Sequence, residues 1–116
     1  MTTPSQRIIA TAERTLAATD ANGRRLAIRL LGALDKLRLF KAAGPDLAQN
    51  EPYLGLAMLA CSVTAIDDVP LPFPASEAQI ERAVQLLGDE GLTAVAEALA
   101  EAQDGAGSLD RDSAKN

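Results

Sequence analysis

The spacing of apolar positions divides the chain into one alternating segment followed by several helical ones. Leu26, Ile28 and Leu30 alternate with Arg25, Ala27 and Arg29. That is the two-residue period of a half-buried strand with one apolar and one basic face. Before it, Arg14 to Thr19 runs into Asp20-Ala21-Asn22-Gly23. Asn-Gly tolerates the positive φ that tight hairpin turns require, so the two segments predict a hairpin. From Ala33 the period changes. Ala33, Leu34, Leu37 and Phe40 share one face at helical spacing over Ala33–Ala43, and Gly44-Pro45 supplies the stop. Leu39 falls on the opposite, polar side of that helix and is expected to be exposed.

The next helix starts at Asn50 as N-cap, with Pro52 in the first turn, where no amide hydrogen is needed. Tyr53, Leu54, Leu56, Ala57, Met58, Leu59, Ala60 and Cys61 make it apolar on every side. Such a helix is central to a fold or partly covered by a partner. Val63 to Pro70 reads as a short extended turn, and Pro70, Pro72 and Pro74 mark an extended linker. Ser76 with Gln79 forms a capping box. Behind it Ile80, Val84 and Leu87 point inward, and Gly88 closes the helix. Asp89 can cap a fourth, with Leu92, Val95 and Leu99 inside.

The predicted fold class is therefore α+β, mainly α, with an N-terminal β-hairpin, about four short helices and a disordered C-terminal tail. One domain is expected over 14–103, between a flexible leader at 1–13 and a tail at 104–116 too polar to order itself.

Composition removes several kinds of chemistry. The 116 residues include no histidine and one cysteine, Cys61. An intrachain disulfide is impossible, and the common zinc spacings are missing. Cys61 sits in the apolar helix with no histidine to activate it, so a buried, inert thiol is expected. Asp67-Asp68 can bind a cation weakly, but paired aspartates more commonly make a turn. Gly88-Asp89-Glu90-Gly91 has the glycines of a phosphate loop but acids that would repel phosphate. No catalytic, cofactor or metal residues are nominated, and a non-enzymatic protein without a cofactor is expected. The first ten residues contain no long apolar run, so no secretory signal is expected. The stretch Tyr53 to Cys61 is too short to span a bilayer.

Charge is unevenly distributed. Residues 1–45 hold eight basic and three acidic side chains, a balance of +5; residues 46–116 hold three basic and thirteen acidic ones, a balance of −10. A nucleic-acid binder normally carries a basic domain. Here the acidic half would repel the polymer, so neither nucleic acid nor membrane is expected as a partner. The apolar surplus admits two readings. Tyr53, Leu56 and Met58 fill a small core, or they belong to a hydrophobic groove rimmed by the basic hairpin. The second reading nominates Leu39, Tyr53, Leu54, Leu56, Met58, Arg25 and Arg29 as protein-binding residues.

The stretch from Asn22 to Gly44, NGRRLAIRLLGALDKLRLFKAAG, resembles the small tail assembly chaperones of long-tailed bacteriophages and prophages. Leu59 to Pro70, LACSVTAIDDVP, and the helices over Ile80 to Leu99 share the same layout. The resemblance covers roughly residues 15–100 and rests on layout, a glycine before an alternating strand and then a Leu-Asp-Leu helix. It implies a scaffold in the host bacterial cytoplasm that binds the tape measure protein and assists assembly of tail tube subunits; a further candidate partner is a second copy of the chain. It also implies a longer form made by ribosomal frameshifting. Ala114-Lys115-Asn116 is compatible with a slippery codon run there. Two alternatives stand beside it: a small regulatory or nucleic-acid-binding protein using the basic hairpin, and a structural adaptor of the virion.

Overall fold

The structure, a computed structural model, describes residues 15–115, with side chains described over 15–103. The expected leader at 1–13 lies outside the described residues. So, apart from the helical assignment through Lys115, does the tail expected at 104–116.

The fold is α+β. Strands β1 (Thr15–Thr19) and β2 (Arg25–Arg29) form the expected hairpin, with Leu16 opposite Ile28 and Ala18 opposite Leu26. Its loop is closed by Gly23 N donating to the Asp20 carbonyl at 3.0 Å, with Gly23 at φ 83°. A three-residue loop ending in a left-handed glycine is the next commonest hairpin solution after the two-residue turn. Asp20 fixes it from inside. Its Oδ1 accepts from the backbone N of Asn22 (3.0 Å) and of Arg24 (2.9 Å).

Helix α1 (Ala33–Ala43) has the bounds that the sequence predicts. After a 3-10 turn at Leu47–Gln49 comes α2 (Glu51–Ser62), capped by Asn50, whose Oδ1 accepts from Tyr53 N at 3.1 Å. The segment expected as an extended turn is more ordered than that. It forms β3 (Val63–Ile66) and β4 (Val69–Pro70), joined by Asp67 and Asp68 at φ 49° and 67°. Two positive φ values in a two-residue loop fit the right-handed twist of the flanking strands. This turn is the role that the aspartate pair plays. β3 pairs with β2, so the hairpin grows into a four-stranded antiparallel sheet of order β1-β2-β3-β4.

Helix α3 (Glu77–Lys115) contains one non-helical residue, Gly88, at φ 67° and ψ −177°. That break divides it into the two helical segments read from the sequence. Ser76 Oγ accepts from Gln79 N, and Gln79 Oε1 accepts from Ala75 N, so the capping interactions are made.

Two apolar clusters hold these elements together. In the first, Leu26, Ile28 and Val63 of the sheet meet Ala60 of α2 and Ala83, Leu87, Leu92 and Val95 of α3. In the second, Leu39 and Ala43 of α1 meet Ala57 and Cys61 of α2 and Ile80 of α3. Each fully buried leucine, isoleucine or valine contributes about 1.5–3 kcal/mol.

Candidate protein-binding surface

Helix α1 is turned the opposite way from the sequence reading. Leu39, expected on the solvent side, is fully buried, while Leu34, Leu37 and Phe40 are 57%, 64% and 36% exposed. The reason lies at the start of the helix. Arg29, at the end of β2, donates from both terminal nitrogens to the two carboxylate oxygens of Asp35 at 2.9 Å. Asp35 also accepts from the backbone N of Gly32 at 2.9 Å. These bonds draw Asp35 toward the sheet. One and two turns further along, Leu39 and Ala43 lie on the same side. Small Ala42 and Ala43 let the inward face approach the rest of the second cluster. The bulkier Leu34-Leu37-Phe40 stripe is thereby left outward.

Both groups of the ion pair are held in their charged forms. The Arg29 hydrogen bond outweighs burial and keeps the Asp35 carboxyl below the usual carboxylate range; the Arg29 pKa is raised in turn by its bond to Asp35. Arg29, nominated as part of the rim of a groove, has its guanidinium engaged with Asp35. Arg25 is exposed and pairs with Asp68 at 3.4 Å, while its backbone N donates to Asp67 Oδ1 at 2.8 Å. Arg24 was not singled out from sequence, yet it has a clear structural part. Its Nε donates to Asp20 Oδ2 at 2.7 Å, and its terminal nitrogens donate to the carbonyls of Leu86 and Leu87. It thus caps the helical segment that ends at Gly88 and ties it to the hairpin turn. Burial alone would raise the Asp20 pKa; the bonds from Arg24 and Asn22 prevail and hold it down.

The residues nominated on α2 divide between inside and outside. Tyr53, Leu54 and Met58 are half-buried and pack on the second cluster. Leu56 is 50% exposed. Tyr53 and Leu56 meet Ala57, Ile80, Glu81 and Val84 in a shallow cleft of about 120 Å3 between α2 and α3. The cleft is bordered by Glu81 rather than by the hairpin arginines. Burial, with Glu81 and Glu77 nearby, raises the Tyr53 pKa. Its hydroxyl is buried without a hydrogen-bond partner among the described residues. Cys61 is buried, which pushes its thiol up to about 11.

Among the described residues, the largest exposed apolar stripe is therefore on α1, and basic residues surround it. Lys36, Arg38 and Lys41 are exposed on the same helix and make no ion pair among the described residues. On one flank, Arg38, Lys41 and Ala42 line a groove with Phe73, Pro74 and Ala75. No family model, curated protein or solved structure matches the chain. Among the described residues, no group of three or more histidine, cysteine, aspartate or glutamate side chains is placed to hold a metal ion. No described helix is long and apolar enough to cross a membrane.

Proposed function

We propose that the chain is a non-enzymatic protein-binding module that docks a partner on the outward face of α1, and that it acts as a tail assembly chaperone in a bacterial host cytoplasm. The observation that carries the binding part is the exposed Leu34-Leu37-Phe40 stripe on a helix whose opposite face is fully engaged in the core. A helix ridge with large apolar side chains on an otherwise ordered domain fits packing against a second helix. The chaperone part rests on the resemblance of residues 22–44 and 59–70, whose first stretch contains this same helix. A tape measure protein is long, helical and apolar enough to aggregate. Covering its apolar stripe with a small acidic protein of net charge −5 keeps it soluble until tail tube subunits replace the cover.

Co-expression with a fragment of a tape measure protein tests the proposal. The wild-type chain is expected to move the fragment into the soluble fraction and to co-purify with it. Leu37→Asp, which changes an exposed position, is expected to fold and to lose this effect. A fragment that stays insoluble beside folded wild-type protein would overturn the chaperone reading.

A further inference from the structure

We infer that the outward face of α1 selects an acidic amphipathic helix, supplied by a separate protein rather than by a second copy of this chain or by a membrane. This inference rests on the docking reading above and adds the chemistry of the partner. Three features support it.

The first is the arrangement of charge. Lys36, Arg38 and Lys41 surround Leu34, Leu37 and Phe40 on one exposed helix, and the only acid of α1, Asp35, is neutralised by Arg29. A partner helix that lays apolar residues along the stripe places its flanking positions beside these cations. Glutamate or aspartate there gains from the field, whereas lysine is repelled. The second is the shape. Eleven residues of helix give a ridge about 16 Å long, and a stripe spaced three residues apart suits the ridge-and-groove packing of another helix. The groove at Arg38, Lys41 and Phe73 gives the partner a basic wall on one side.

The third is what the chain's own acidic helix lacks. The exposed acids of α3, such as Glu81, Glu90 and Glu97, do supply negative charge. But its apolar residues Ile80, Leu87, Leu92 and Val95 are buried in the chain's own core. Among the described residues, a second copy's α3 therefore offers acids beside a single exposed leucine, Leu86, and its α1 stripe would bring Lys36, Arg38 and Lys41 against the same cations. A membrane is disfavoured by the overall charge of −5 and by an apolar stripe only three large side chains long.

Two designed peptides test this against the full-length chain. Both carry apolar residues at helical i, i+3, i+4 and i+7 spacing; one has glutamate at its polar positions and the other lysine. Fluorescence anisotropy is expected to show saturable binding of the glutamate peptide that weakens as salt rises, and no binding of the lysine peptide. Arg38→Glu with Lys41→Glu is expected to weaken the glutamate peptide by roughly tenfold or more, with circular dichroism unchanged. Equal binding of both peptides would overturn the charge selection while leaving α1 as a docking face. Failure to bind either peptide, in a preparation that still solubilises the tape measure fragment, would overturn the acidic-helix inference but not the chaperone proposal. Co-sedimentation with phosphatidylglycerol vesicles, or self-association abolished by Leu37→Asp, would overturn the choice of partner.

Discussion

The hairpin and helix α1 each carry three basic residues, but the structure uses them differently. In the hairpin, Arg24 joins Asp20 to the end of a helical segment, Arg29 holds Asp35 in a two-pronged ion pair, and Arg25 faces Asp68. On α1, Lys36, Arg38 and Lys41 make no such pair among the described residues. The same contrast holds for apolar residues. Leu26 and Ile28 of the hairpin are buried, whereas Leu34, Leu37 and Phe40 of α1 are exposed. Charge that is paired and apolar surface that is covered stabilise the fold. Charge and apolar surface left over together on one helix are available to a partner.

The largest expected effect separates the two faces of α1. Leu39→Ala should cost about 2–5 kcal/mol, because it removes a fully buried leucine and leaves a cavity. Leu37→Ala should cost less than about 0.5 kcal/mol, as for other surface changes. Urea midpoints read the difference, and equal midpoints would show that the helix is rotated otherwise than described.

The next effect concerns the ion pair that sets this rotation. Asp35→Ala should cost about 1–3 kcal/mol, since it removes charge-assisted hydrogen bonds and leaves Arg29 partly buried without its partner. Lys41→Ala should again change little. The pair also gives a pH dependence. The folded-state pKa values of Asp20 and Asp35 lie below the ordinary carboxylate value, so the unfolded chain binds more protons between the two. Stability is fully present above the ordinary carboxylate value and falls as pH drops through the folded values. Asp35→Asn should remove part of that acid sensitivity. A pH profile of stability unchanged from wild type would count against the pair.

A smaller effect is expected at Gly88. With φ 67° and ψ −177° it occupies a positive-φ extended region open essentially to glycine alone, at the end of the segment capped by Arg24, so Gly88→Ala should cost on the order of 1 kcal/mol or more. No measurable cost would mean that the break does not require glycine.

These contrasts also explain what could be read from the sequence. Alternation at Leu26 and Ile28, the Asn22-Gly23 turn, the α1 bounds and the Ser76 cap are local signals, and local structure follows them. The pairing of β3 with β2 was only half legible. Val63 to Ile66 reads as extended, but its neighbour lies 37 residues away at Thr64 Oγ1 and the Ala27 carbonyl. The orientation of α1 was read inside out. Two stripes competed there, and summed hydrophobicity favours Leu34, Leu37 and Phe40 over Leu39 and Ala43. The deciding interaction, Arg29 with Asp35, spans six residues, from the end of a strand to the first turn of a helix, and becomes visible only once both are placed. The candidate site inherited that inversion. Leu39 belongs to the core rather than to the candidate surface, Arg29 is tied up in an ion pair, and the Leu34-Leu37-Phe40 stripe opposite Leu39 forms the surface.

The most direct test of the docking face is to compare Leu37→Asp with Leu56→Asp, two substitutions at exposed apolar positions on different helices. Affinity of both variants for one short tape measure peptide that is soluble on its own, measured by calorimetry on folded protein, is the readout. Docking on α1 predicts that Leu37→Asp loses binding and that Leu56→Asp stays close to wild type. Binding lost in Leu56→Asp and retained in Leu37→Asp would contradict it and place the partner in the cleft between α2 and α3.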